Sequence, residues 1–325
     1  MDDKFSQVIT EPHEGIFRIA VPVPLPLKYV YGYVIETPQG YLVVDLGMDT
    51  PEARAVWEHV SRTLGLRPGR VWAIAITHFH PDHVGLSGFA QALWDCPVMM
   101  LEEEVQTVYQ IFDGPPLPMG EFFSRNGLPP ADAELLERER AFTQAVVRLP
   151  QSGPIQGLQK GTRLGPLELL EQKGHTDHQL LLYWPERKLL FTGDQVLNRI
   201  TPNISFWPDS DPDPLASYLD SLHTLQSLPI AMGLPAHESL IPNVSRRIDE
   251  LAAHHQERAD QVLESLSEPK TAYEVARGLF HRTLTPSQWR FALSESLAHL
   301  EYLRLKGLVA HTVSEQFTLY QRADR

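Results

Sequence analysis

The chain has 325 residues, 42% hydrophobic and 21% charged, with a net charge of −13. That is globular composition, long enough for one large domain and a small one, and it excludes a disordered or fibrous chain. The single cysteine, Cys96, excludes an internal disulfide and a cysteine-built metal site, and the acidic balance opposes non-specific binding to nucleic acid or anionic membrane.

No basic leader followed by an apolar run opens the chain, and no stretch reaches the roughly 20 apolar residues of a membrane helix, so a cytoplasmic protein is expected. From Phe17 to Met48, β-branched and aromatic residues alternate between Pro- and Gly-containing turns, which predicts an antiparallel meander. Thr50 before Pro51 reads as an N-cap. Ala55, Val56, His59, Val60 and Leu64 follow at helical spacing, so a helix is expected over 51–65. Residues 71–77 are continuously apolar, the mark of a strand buried on both faces. Residues 102–150 turn charged and amphipathic and predict a helical insertion. Strand-forming runs return between 161 and 194 around hairpin turns, and strands, helix, strands describe a layered α/β sandwich. A large domain over 1–245, a linking helix over 246–269 and a small domain over 270–325, with two helices and two short strands, complete the expected organisation.

His78, His80, Asp82 and His83 form H-x-H-x-D-H directly after the buried strand. Alternate residues of an extended segment point the same way, so His78 and His80 can grip one ion. Asp82 and His83, displaced along the turn, can face a neighbouring one. Burying four such groups without a metal or hydrogen bonds would be unfavourable. Three later strand ends each offer one more metal-competent residue: His175 after Gly174, Asp194 after Gly193, and His237 after Pro235 and Ala236. His178 is read as structural, and His254 and His255 as part of a solvated face on a charged helix.

In this order, these motifs resemble the metallo-β-lactamase superfamily across residues 15 to about 245. The resemblance implies an α/β fold, the αββα sandwich, here with a helical insertion and a small C-terminal winged-helix domain. It also implies a division of ligands: His78, His80 and His175 on a first metal, Asp82, His83 and His237 on a second, and Asp194 bridging. Asp45 matches the superfamily's early Asp-containing turn near the site. Two divalent ions are implied, zinc favoured, with iron or manganese as alternatives. They would share a hydroxide of lowered pKa, with Asp82 as the catalytic residue that orients it or shuttles a proton. The all nitrogen and oxygen site resembles glyoxalase II more than the antibiotic-cleaving members. Leu197 stands where the superfamily's lactonases usually carry Tyr, which disfavours lactones.

The insertion supplies Tyr109, Phe112, Phe122 and Phe123, and the segment after Asp194 supplies Phe206 and Trp207, as candidate walls of a substrate pocket. The expected activity is hydrolysis of a thioester, ester or lactone bond in a small molecule; a single-strand endoribonuclease of the same superfamily and a non-catalytic metal-binding regulator are the alternatives. The second tail helix carries more apolar side chains than a small domain needs, which predicts packing against the hydrolase body or a second subunit. A homodimer through the C-terminal domain is expected, and nucleic acid is not.

Overall fold

The computed structural model describes residues 5, 7–115, 119–132, 142–281 and 283–323. β1 (Ile9–His13), β2 (Ile16–Pro22), β3 (Tyr29–Thr37) and β4 (Gly40–Val44) pair in order as an antiparallel meander. α1 (Pro51–Leu64) follows. The Thr50 side chain accepts the Ala53 N–H, Pro51 opens the helix, and Gly65 closes it in the left-handed region at φ 71. β5 (Val71–Ala75) then lies parallel to β4, as a crossover helix requires. α2 (Pro81–Val84), α3 (Ser87–Trp94), β6 (Val98–Leu101), the insertion helices α4 (Glu102–Phe112) and α5 (Met119–Arg125), and β7 (Gln156–Leu158) complete the first half. β6 and β7 extend the sheet in parallel.

The second sheet has the order β12-β11-β10-β9-β8: β8 (Arg163–Leu164), β9 (Leu167–Gln172), β10 (Gln179–Trp184), β11 (Leu189–Gly193) and β12 (Met232–Pro235), with α6 (Pro214–Gln226) crossing between the last two. α7 (Val244–Ser265), α8 (Ala272–Leu279), α9 (Pro286–Leu305) and the hairpin of β13 (Val309–Val313) and β14 (Thr318–Arg322) end the chain.

Strand periodicity sorts the apolar side chains into layers. Tyr33, Ile35, Leu42, Val44, Ala73 and Ala75 from the first sheet meet Leu180, Leu182, Leu189 and Phe191 from the second, forming the core between the sheets. The alternate residues Val34, Val43, Ile74 and Ile76 face α1 and α3 through Trp57 and Trp94. Leu181, Tyr183 and Leu190 face α6, α7 and α9 through Tyr218, Leu222, Ile248, Leu251, Leu293 and Leu297. The result is the αββα layering, with both sheets ending at one rim.

The tail is continuous with that last layer: α9 shares one buried cluster with α6 and α7. This packing overturns one expectation. His255 is not on a solvated face but 1% exposed, its Nδ1 3.3 Å from Nε2 of the fully buried His299 and its ring edge-on to Tyr218. The alternation of charge along α7 hid this, because its buried stripe (Ile248, Leu251, His255, Ala259, Val262) includes one polar residue. His254 is half-buried. Among the described residues no helix is long and apolar enough to cross a membrane. Residues 116–118 and 133–141 of the expected helical insertion lie outside the described residues.

Candidate metal centre

His78, His80, Asp82, His83, His175, Asp194 and His237 all follow the ends of β5, β9, β11 and β12, at the common rim of the two sheets. The first motif is not the plain extended run its alternation predicts: residues 78 and 79 form a bend. Pro81 then opens α2, holding φ in the helical range and leaving His80 extended at φ −59, ψ 145, while Asp82 and His83 ride on the helical turn. Gly174 has φ +115, and a Cβ there would lie 2.6 Å from Tyr218 Cα, so only glycine lets the His175 segment pass α6 so closely.

The donor atoms converge. His78 Nε2 is 2.8 Å from His80 Nδ1, which is 3.1 Å from His175 Nε2. His237 Nε2 is 3.2 Å from Asp82 Oδ2. Asp194 Oδ2 stands between the two groups, 3.5 Å from His83 Nε2, 3.6 Å from His175 Nε2 and 3.5 Å from His237 Nε2. Three sets able to hold an ion result, each with donors within 4.8 Å of one another: His78, His80 and His175; His78, His83 and Asp194; and Asp82, His83 and His237.

Partners behind the rings decide which nitrogens face inward. His175 Nδ1 donates to the Asn203 carbonyl and His237 Nδ1 to the Tyr29 carbonyl, each at 3.0 Å. His83 Nδ1 meets Asp45 Oδ2 at 2.9 Å. The Thr77 hydroxyl donates to Asp45 at 2.8 Å, leaving its oxygen to accept from His78 Nδ1 at 2.9 Å. In each of these four rings Nε2 is thereby left as the inward atom. Asp45, near the site as expected, is the hub of this support, held in a left-handed turn at φ 53 that Asp tolerates.

Electrostatics divide the cluster. Burial, reinforced by the neighbouring imidazoles, holds His78 and His80 well below the usual histidine range, and burial likewise lowers His175. Burial also opposes a charge on His83 and His237. The carboxylates outweigh it: Asp45, Asp194 and Asp82 raise His83 well above its usual value, and Asp194 with Asp82 raises His237 to about 10. Against their own burial, Asp82 is lowered to about 2 by His83 and His237, and Asp194 falls well below the carboxylate range for the same reason.

These residues fit divalent ions. His83 Nε2 and Asp194 Oδ1 are buried without a hydrogen-bond partner, as donors reserved for a cation would be, and imidazole with carboxylate suits zinc, iron or manganese.

Of the aromatic residues expected at a pocket, Phe122, Phe123, Phe206 and Trp207 come together, with ring centroids of Phe122 and Phe206 6.4 Å apart and of Phe123 and Trp207 5.8 Å apart. Phe123 is fully buried and packs core. Tyr109 and Phe112 lie elsewhere, against the α1 and α3 layer, where the Tyr109 hydroxyl accepts the Ile155 N–H. His178 stays off the centre, bonded to Glu171 at 2.6 Å.

Two supports carried no sequence signal. Glu104, one of three glutamates in the first turn of α4, is 1% exposed and accepts the Phe79 N–H at 2.9 Å; burial pushes its carboxyl up to about 8. Asn203, behind His175, belongs to a loop fastened to the tail, where the Phe206 N–H donates to the Ser294 carbonyl of α9 and Ser205 Oγ meets Ser294 Oγ, both at 3.1 Å.

Two family models match the chain: the metallo-beta-lactamase superfamily over residues 25–237, and the metallo-beta-lactamase-like C-terminal domain over residues 259–323. Among solved structures, a metallo-beta-lactamase family protein of Thermus thermophilus is 34% identical with a TM-score of 0.83, over 95% of this chain and 99% of that one. A beta-lactamase domain protein of Burkholderia ambifaria is 26% identical with a TM-score of 0.85, over 97% and 93%. Among curated relatives, an Aspergillus fumigatus protein named atrochrysone carboxyl ACP thioesterase is 24% identical over 74% of this chain. The chain spans only 44% of that relative's length, and 66% of a lactamase-like protein of Pestalotiopsis fici that is 25% identical over 79% of this chain.

Proposed function

The chain belongs to the metallo-beta-lactamase superfamily of hydrolases, and we propose that it cleaves an acyl bond, a thioester first and an ester or lactone next, in a small-molecule substrate. The observation that carries this reading is the convergence of seven imidazole and carboxylate side chains on two adjoining positions that share Asp194. The name of the A. fumigatus relative supports the thioester.

In this reading His78, His80 and His175 hold one ion, Asp82, His83 and His237 the other, and Asp194 both. Bound divalent ions supply Lewis acidity and a water acidic enough to attack at neutral pH. Zinc is the first choice, with iron or manganese as alternatives. Asp82, ionised at neutral pH and 3.2 Å from His237 Nε2, accepts a hydrogen bond from the attacking water and orients it. No catalytic Ser or Cys is required, and Cys96 is buried in the α1 and α3 layer with its thiol pushed up to about 12.

Phe122 and Phe206 line an open groove of about 350 Å³ together with Leu297, Glu301, Arg304 and Tyr320 of the tail; none of the seven donor residues lines it, and we assign it to a part of the substrate remote from the cleaved bond. The arginines of α9 do not favour an RNA reading. Arg304 is bonded to Glu301 at 2.6 Å, and Arg290 stacks on Phe291 with its Cζ 4.4 Å from the ring centroid. A cytoplasmic enzyme, dimeric through its C-terminal domain, completes the proposal.

Metal analysis of the purified protein with a panel of acyl thioesters, esters, lactones, phosphodiesters and single-stranded RNA tests it. Two divalent ions per chain and fastest turnover of a thioester are expected. Cleavage of RNA with no acyl turnover would overturn the reading.

A further inference from the structure

We propose that Glu104 is the positioning residue for the three-histidine half of the centre: its buried carboxyl group clamps together the two irregular segments that carry His78, His80 and His175. The proposal rests on the two-ion reading above and extends it to a residue outside the donor set.

Neither segment is held by a sheet ladder. Residues 78 and 79 form a bend beyond β5, and residues 174–178 are a run of bends between β9 and β10. Buried backbone in such segments needs partners from elsewhere. Glu104 provides them. Its Oε2 accepts the Phe79 N–H at 2.9 Å, and the same carboxyl lies beside the His178 amide and the Thr176 hydroxyl, whose buried oxygen has no other hydrogen-bond partner among the described residues. The Phe79 N–H belongs to the rigid peptide unit that joins His78 to Phe79, so fixing that plane fixes the backbone on both sides of it, including the approach of His80. Thr176 directly follows His175. One carboxyl group thus spans segments from two different sheets, and the histidine nitrogens those segments carry meet at 2.8 and 3.1 Å.

Helix formation does not explain Glu104. Glu102 and Glu103 are exposed in the same first turn, where a negative charge favours the helix N-terminus, while Glu104 is turned inward at 1% exposure and has no ion pair among the described residues. An unpaired buried carboxyl is unfavourable unless hydrogen bonds compensate, and here the bond it accepts comes from the backbone of the segment that carries His78 and His80. The other half of the centre has separate supports: His83 leans on Asp45, and His237 on the Tyr29 carbonyl. The effect of Glu104 falls mainly on the ion that His78, His80 and His175 would hold.

The test is a cobalt(II) titration of the metal-stripped full chain, read by visible absorption and by competition with a chelator, alongside thermal unfolding of the metal-free proteins. In Glu104→Leu, which fills the space without an acceptor, one of the two binding steps weakens by about 10- to 100-fold, as loss of a support behind a ligand does, and the other changes less than about twofold. Glu104→Gln, which keeps an acceptor for Phe79, stays within about threefold of wild type. Glu104→Ala is the second knockout, so a folding failure of the leucine variant leaves the question decidable. Two steps that weaken together, no change in either, or failure of glutamine to rescue would each overturn the proposal. Absence of two steps in the wild type would instead overturn the two-ion reading beneath it.

Discussion

The molecule buries histidines in two places, to opposite ends. At the sheet rim, five histidines share space with Asp45, Asp82 and Asp194, and their nitrogens converge. In the seam between α6, α7 and α9, His255 and His299 lie against each other beside Tyr218 and among apolar side chains. Among the described residues no carboxylate converges on that pair. His299 Nδ1 donates to the Glu295 carbonyl at 2.8 Å, and burial, with no carboxylate to offset it, drives His255 down to about 2 and His299 to about 4. Burial of a histidine therefore says little about metal binding. What separates the regions is anionic company and nitrogens aimed at one point.

Removing the shared carboxylate should break the comparison most severely. Asp194→Ala leaves both donor sets without their common anion, so metal content should fall to one ion or fewer per chain and turnover should drop by about 10³-fold or more. Elemental analysis with a thioester assay checks this. Full activity at unchanged metal content would mean that the rim is no more a metal site than the seam.

A middle-sized effect belongs to the seam. Both of its histidines are neutral in the fold but protonate with an ordinary value near 6.5 when unfolded. A lowered folded value means stability is fully present above pH 6.5 and is lost as pH falls from there toward about 4 for His299 and about 2 for His255. For His299 alone this corresponds to roughly 3 kcal/mol. His254 and Arg258 on α7, both facing His255, act in the same direction, while Glu295 on α9, itself raised to about 7 by burial, is mostly uncharged over that window. In the metal-free protein, the double variant His255→Leu and His299→Leu should flatten the decline between pH 6.5 and 4 in urea melts and leave metal stoichiometry at pH 7 unchanged. A lost ion in that variant would erase the distinction between the two regions.

The smallest effect probes the link between them. Ser294 sits on α9 five residues before His299 and fastens the loop whose Asn203 carbonyl backs His175. Ser294→Ala removes one side-chain hydrogen bond, so stability should fall by about 1 kcal/mol and one metal-binding step should weaken a few-fold. Thermal unfolding and metal titration together measure it. An unchanged titration would show that the tail braces the core without reaching the centre.

Much of this was legible in the sequence because local rules carry it. Strand alternation gave the meander, a continuous apolar run the doubly buried β5, Thr50 with Pro51 gave α1, and glycines beside His175 and Asp194 marked where backbone must come close. The short β6, hidden between helices, left no such pattern. The donor residues themselves are dictated by chemistry that few side chains can perform, so they stand out one by one. Only the tertiary structure decided the rest. It turned Glu104 inward while Glu102 and Glu103 stayed in water, buried His255 on a charged helix, split the insertion's aromatics between two cores, and brought Ser294 from the tail to the back of His175. The reason is that a side chain's environment depends on which distant segment packs against it, and a single sequence records local periodicity but not the partner across the interface.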